Sequence, residues 1–271
     1  MSVMQTLPAR SPAPHGFGAR VIGFVGLGLI AILMGLSDVV ARAPVQGAPL
    51  QAPSLHFMFG TDLLGRDVAL EILRALAVTA SDAAIAMLVA LAMGGFFGFV
   101  VARLPWHLGD LLRWIAGVLG SVPALFLAIL FVGLTARNLA PLAAGVAAAP
   151  ATFNRAFDGA RLLGRSRYTE YARASGIGSM TLLRRDLAYE ILDNFLGLAA
   201  RALAAVAIIL STASFFGFGA VPPERDLGLM IAAARVSYFD AWWTAAFPAL
   251  ALMMFILFAR LAAGLEEGER P

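Results

Sequence analysis

The sequence predicts an all-α membrane protein with about six transmembrane helices. Three observations carry this. Of the 271 residues, 60% are hydrophobic and 14% charged, with a mean hydropathy of +0.82. Soluble domains carry about 25% charged residues and about 45–50% apolar ones, so this balance suits a bilayer. Apolar runs recur along the chain at the length that a crossing needs, roughly 20 residues. There is room for about six of them and little soluble mass besides. Lastly, one long polar segment, 155–194, separates two long apolar ones and holds seven arginines, at 155, 161, 165, 167, 173, 184 and 185. A basic, helix-compatible loop between spans reads as a docking element for a soluble partner on the cytoplasmic side.

Residues 1–19 form a polar segment containing Pro, Ser and Gly, and Arg10 and Arg20 precede the first apolar run. The run Val21–Val40 exceeds the about 7–15 residues of a signal-peptide core, so a retained first span over 20–41 is expected. Residues 42–76 make an external loop with Pro44, Pro49 and Pro53, then Gly60-Thr-Asp-Leu-Leu-Gly-Arg-Asp67. Asp67 can cap the following helix by accepting its free N–H groups. Val68–Ala77 is amphipathic, with Glu71 and Arg74 three apart, and is expected to lie at the membrane interface. A core over 77–262 follows. Its second span covers about Ala77–Ala102 and is rich in Ala and Gly, which let helices approach closely in a membrane. The third covers about Trp114–Leu134, with Pro123 inside it, and the fourth about Leu139–Phe157, short and Ala-rich. The basic loop, 158–190, leads to a fifth span over about Ile191–Phe216. An external loop over 217–240 carries Pro222-Pro223 and a helical piece, Leu229–Val236. Trp242-Trp243 opens the sixth span, about Ala241–Leu261, as an interfacial aromatic belt would. Residues 263–271 are a short charged tail.

With the N-terminus inside, the cytoplasmic segments hold thirteen arginines and the external ones six, with Arg201 left within a span. That bias favours cytoplasmic termini. There is no cysteine, hence no disulfide framework and no thiolate ligand or nucleophile. His15, His56 and His107 lie far apart and give no metal signal. There is no lysine and no phosphate-cradling Gly-rich loop, so ATP hydrolysis is expected on another chain. Nothing points to a nucleic acid.

The basic loop resembles the Glu-Ala-Ala loop of ABC-importer permeases. Tyr168, Glu170, Ala172, Arg173, Ala174 and Gly176 match the form common in peptide and nickel permeases. Tyr171, Ser175 and Tyr189 depart from it, where the family has Ala, Leu and usually Pro. Gly60, Thr61, Asp62, Gly65, Arg66 and Asp67 are similar to the external motif of the C-type permease in the dipeptide/oligopeptide/nickel group. Phe215-Phe-Gly-Phe-Gly219, Pro222-Pro223 and Gly228 resemble a third element of that group. The resemblance covers about residues 60 to 262. It implies the type I ABC importer permease fold, in a bacterial inner membrane. It also implies a heterodimer with a second homologous permease, two ATP-binding subunits carrying ATP and Mg, and a substrate-binding protein. Tyr168, Glu170, Tyr171, Ala172, Arg173, Ala174 and Gly176 would then form a coupling helix seated in a groove of the ATP-binding subunit. The alternative for this loop is attraction to anionic lipid.

Arg201 sits roughly ten residues into the fifth span. A charge there costs several kcal/mol and should face protein or water. Asp82 is the expected partner in an inter-helix ion pair, and a cavity-lining cation that meets a substrate carboxylate is the alternative. Ser211, Thr212 and Ser214 read as helix-packing residues. The external motif is either a self-satisfied turn, with Asp62 and Asp67 accepting local N–H groups and Arg66 bracing them, or a contact near an outer gate. A peptide, nickel or metallophore cargo is open. A stand-alone secondary transporter is the reading from a different class, with Arg201 and Asp82 its best support. No catalytic set supports a membrane enzyme.

Overall fold

The computed structural model describes residues 17–40, 47–135, 137–164, 187–220 and 225–264. Among these the structure is helical, with no strand beyond an isolated bridge between Thr61 and Asp67. The helices are α1 (Phe17–Val40), α2 (Val68–Val101, with Leu91–Phe96 wound as π-helix), α3 (Trp106–Gly120) and α4 (Ala124–Leu134). They continue as α5 (Ala140–Gly164), α6 (Leu187–Phe215), α7 (Leu227–Ala233) and α8 (Trp243–Ala263). Four of them, α1, α2, α6 and α8, are long and apolar enough to cross a membrane, and the bent pair α3–α4 would add a fifth. Helix α5 is the sixth of comparable length, at 25 residues. Asn154, Arg155, Asp158 and Arg161 in its second half lower its apolarity, which its packing among other helices tolerates.

Helices α2, α5 and α6 form the centre. Ala75, Thr79, Ala83, Ala86 and Ala90 repeat at spacings of three and four along one face of α2, and all are buried. Small residues set the distances. A Cβ at Gly145 would lie 2.6 Å from the Ala86 carbonyl oxygen, and at Gly94 and Gly98 it would lie 2.3 Å and 2.5 Å from those of Ala149 and Phe153. Backbone meets backbone along this seam, which is how membrane helices gain packing energy without a hydrophobic drive. On the flank, α1 runs antiparallel to α8. Gly23 abuts the Ala262 backbone and Gly26 the Phe258 ring.

Three expected elements differ. Val68–Ala77 is not a separate interfacial helix but the first turns of α2, a single 34-residue span roughly 50 Å long. Its Val68, Ile72, Ala75 and Leu76 join the main core, so burial holds it upright. The third span is not one helix with a tolerated proline. Helices α3 and α4 are bent by 75° at Ser121–Pro123. Proline has no N–H and clashes with the preceding turn, and the residue before it avoids the helical region. Pro150 and Pro248, inside α5 and α8, do not break their helices. The fourth helix is not short, since α5 continues to Gly164.

Candidate functional site

The motif Gly60–Asp67 builds a closed turn at the start of α2. Gly60 and Gly65 both take φ +74°, a conformation that side chains disfavour. A Cβ at Gly65 would also lie 2.2 Å from the Gly47 carbonyl oxygen. Thr61 is fully buried. Its hydroxyl accepts from the Gln51 N–H at 2.8 Å and donates to the Ala48 carbonyl at 2.7 Å. The Asp62 carboxylate accepts from the Leu64 and Arg66 N–H groups and from the Arg66 guanidinium through two nitrogens, at 3.0 and 2.8 Å. Asp67 caps α2 by accepting from the Ala69 N–H at 2.9 Å. The turn is tied to α8, because the Trp243 indole N–H donates to the Thr61 carbonyl and Phe59 stacks on Phe247 at 4.3 Å. Beside it, the Glu71 carboxylate faces three guanidiniums: Arg74 at 2.9 Å, Arg66 at 3.6 Å and Arg225 at 3.8 Å. Asp62, Arg66 and Asp67 thus have the local partners of a self-satisfied turn.

A polar cavity of about 150 Å³ lies near this end of the bundle, between α2, the start of α5, the end of α6 and the segment before α7. Its wall includes Thr79, Asp82, Asn138, Ser211, Ser214 and Asp226. Asp226 caps α7 through the Leu229 N–H at 2.7 Å and accepts from the Ser214 hydroxyl. The Leu227 N–H donates to the Thr79 hydroxyl at 3.0 Å. Gly228 permits this approach: a Cβ there would lie 2.2 Å from the Ser211 carbonyl oxygen.

The opposite end of the bundle holds a larger cavity of about 470 Å³ between α2, α5 and α6. Its wall is mainly apolar, including Leu88, Leu91, Phe96 and Leu198, with Arg155, Asn194 and Arg201 as its polar members. Next to it, Arg161 bonds Asp110 at 2.7 Å and Arg113 bonds Asp158 at 2.9 Å. Both guanidiniums lie over the fully buried Phe157 ring, at 4.5 and 5.6 Å from its centroid. These contacts clamp α3 to the last turns of α5, just before the basic loop.

The expected pairing of Arg201 with Asp82 is not formed. Helices α2 and α6 run antiparallel, with Gly95 beside Leu198 and Asp82 in one cavity wall with Ser211. In that register Arg201 lies level with Ala92, which lines the same cavity as it does. Ten residues of helix, about 15 Å, separate that level from Asp82. The two charges serve different cavities.

No protein-family model matches the chain. Among curated proteins it is similar to the glutathione transport system permease protein GsiD of Escherichia coli O157:H7, of Shigella sonnei and of Shigella boydii serotype 4. Each is 28% identical over 222 residues, covering 81% of this chain and 73% of the relative. The chain is homologous to the ABC-importer permeases of the dipeptide/oligopeptide/nickel family. Such a permease is a non-enzymatic, multi-pass membrane component, and ATP hydrolysis belongs to separate subunits.

The docking expectation from the sequence falls on the loop that resembles the Glu-Ala-Ala loop. Here Tyr168, Glu170, Tyr171, Ala172, Arg173, Ala174 and Gly176 lie outside the described residues, as do Pro222 and Pro223. Sequence reasoning passed over the polar cavity. Ser211 and Ser214 read as packing residues, whereas Ser214 holds Asp226 and Ser211 faces the cavity. One available signal was Asp226, an N-cap residue directly before an apolar helical run.

Proposed function

We propose that this chain is one half of the translocation path in an ATP-driven importer of peptide-like solutes. The observation that carries the reading is the 222-residue similarity to permeases named for glutathione, itself a small peptide. A second, homologous permease supplies the other half. Two ATP-binding subunits, which hold the ATP and Mg, drive it from the cytoplasm, and a substrate-binding protein delivers the solute from outside. Arg20, Arg103, Arg113, Arg155 and Arg161 support cytoplasmic termini by the positive-inside bias.

In this reading Tyr168 and Tyr171 fill a groove on the ATP-binding subunit, Glu170 and Arg173 set its polarity, and the chain turns at Gly176. Movement of that subunit reaches α5, whose last turns are clamped to α3 by the Arg161–Asp110 and Arg113–Asp158 pairs. The bent pair α3–α4 then moves with α5. The Gly60–Asp67 turn is a rigid external brace against α8 and lies in the region where a delivering protein would dock.

The test is purification of the tagged chain from its native membrane, with its companions identified by mass spectrometry. The reading expects ATP-binding subunits and a second permease, lost when Glu170→Ala or Gly176→Pro is introduced. The binding protein encoded beside those partners should take short peptides in a calorimetric titration. A preference for nickel or a nickel chelate would move the cargo to the metal side of the family. Recovery of this chain alone, with uptake persisting after ATP depletion, would refute the importer reading.

A further inference from the structure

The break between α3 and α4 holds backbone that the chain itself does not satisfy. The Val122, Ala124 and Leu125 N–H groups have no backbone partner among the described residues, whereas the Ser121 N–H donates to the Val118 carbonyl at 3.2 Å and the Phe126 N–H to the Pro123 carbonyl at 2.9 Å. Gly120, Ser121, Val122 and Pro123 are all exposed. The first N–H groups of any helix lack intrahelical partners, and at a protein surface water takes them. This break is not at an end of the bundle. A Cβ at Gly120 would lie 3.5 Å from the Pro150 Cβ in α5. Pro150 sits eight residues, about 12 Å, back along α5 from Asp158, which pairs with Arg113 near the basic loop. Its neighbour Ala149 abuts Gly94 of α2, seven residues, about 10 Å, short of the end of that span. Irregular backbone at membrane depth persists only where protein buries it or water reaches it, because lipid tails offer no acceptor.

A polar groove runs from that break toward the basic-loop end. Asp110, Arg113, Gly117 and Ser121 recur three or four residues apart, so they share one face of α3 over about 16 Å. They line an open groove of about 680 Å³ against α5. Across it stands Asn154, whose buried side-chain oxygen has no hydrogen-bond partner. At the basic-loop end the two charges are about half exposed and paired, Arg113 with Asp158 and Asp110 with Arg161. A Cβ at Gly117 would meet nothing within 4 Å, so the groove is open there too. The outer face of α8 is different. Its exposed positions from Ala249 to Leu257, including Leu250, Met253 and Met254, are all apolar, as suits contact with lipid.

We propose that this groove is water-filled in the assembled protein, open to water at the basic-loop end and wet as far as the α3–α4 break, where water bonds the Val122, Ala124 and Leu125 N–H groups. The bend of 75° is then the means by which one span exposes backbone to a passage instead of to lipid. The use of the groove rests on the importer reading, but its wetness does not. In that reading it is this chain's part of the cytoplasmic exit. A polar, hydrated solute such as a short peptide passes the exposed Ser121 and Gly117 and leaves beside the Arg113–Asp158 and Arg161–Asp110 pairs.

The chain has no cysteine, so an introduced thiol is unique within it. Gly117→Cys, Ser121→Cys and, for comparison, Met253→Cys on the apolar face of α8 would each be placed in the complete complex in inside-out membrane vesicles. Each is treated with a trimethylammonium methanethiosulfonate, which does not cross the bilayer, and the labelled chain is read by mass spectrometry. A thiol reacts as its thiolate, and each unit by which apolar surroundings raise its pKa slows it about tenfold. Both groove thiols should therefore label at least about tenfold faster than the Met253 variant, and faster in inside-out than in right-side-out vesicles. Gly117→Cys serves if Ser121→Cys, at the break, fails to assemble. Labelling in the groove no faster than at Met253, or faster from the opposite side of the membrane, would overturn the proposal. None of these readouts uses transport. A dry groove in a chain that co-purifies with ATP-binding subunits would refute this inference and leave the importer reading standing, and a wet groove in a chain recovered alone would do the reverse.

Discussion

Thr61→Val is the most discriminating perturbation of the brace. Valine has nearly the same shape, so packing is kept and only the hydroxyl is lost. That hydroxyl has two partners, the Gln51 N–H and the Ala48 carbonyl, in a residue with no solvent exposure. Neither backbone group makes another backbone bond among the described residues. Ala48 and Gln51 are exposed residues, so water can take part of what the hydroxyl leaves, and two such bonds at a net of about 1 kcal/mol each give a loss of about 2 kcal/mol. For a chain of this size about 1 kcal/mol moves the melting temperature by about 2–4 °C, so a fall of about 4–8 °C is expected. Thr61→Ser keeps both hydrogen bonds and loses one methyl group, which costs only about 1 kcal/mol. The assay is the apparent melting temperature of the detergent-solubilised protein, followed by size-exclusion chromatography after heating. If the valine variant were as stable as the parent, or the serine variant the worse of the two, the hydrogen-bond account of this motif would be wrong.

Gly228→Ala drives a Cβ to 2.2 Å from the Ser211 carbonyl and should cost several kcal/mol, whereas Gly117→Ala meets nothing within 4 Å and should stabilise α3 by about 0.5–1 kcal/mol. Parallel thermal scans of the two variants check the contrast. Glu71→Gln removes the carboxylate that faces Arg66, Arg74 and Arg225, and should lower stability by about 2–4 kcal/mol, more than Arg225→Ala at the edge of the cluster. A larger loss for Arg225→Ala would place the charge balance elsewhere. A double-mutant cycle on Arg113 and Asp158, both about half exposed, should return under about 1 kcal/mol. Arg161→Ala should cost more than Asp110→Ala, since the guanidinium also covers Phe157.

Much of the site was readable in the chain because it depends on neighbours in sequence. The Gly-Thr-Asp-x-x-Gly-Arg-Asp turn closes on itself within eight residues, and its two left-handed glycines and its Asp67 cap are local requirements. Membrane class followed from composition, since 14% charged and 60% hydrophobic residues depart far from the usual soluble balance. The resemblance to importer permeases was carried by the order of the motifs. The Arg201–Asp82 pairing failed because two intramembrane charges in one sequence suggest a pair, while only helix register says whether they share a level. Here α2 and α6 put them about ten residues apart along their axes.

Periodicity and charge in the sequence determined that the chain is helical, membrane-embedded and built on a permease pattern. These are properties of segments, set by transfer free energy and backbone chemistry over a few turns. The tertiary structure decided what depends on distances between segments. It joined Val68–Ala77 to the second span because that face is buried. It broke the third by 75° at Ser121–Pro123, whereas Pro150 and Pro248 left their helices continuous. It brought Thr79, Ser211, Ser214 and Asp226, spread over 148 positions of chain, into one polar wall. A hydroxyl's role is set by what packing leaves opposite it, and for Ser211 that is an acceptor-lined space.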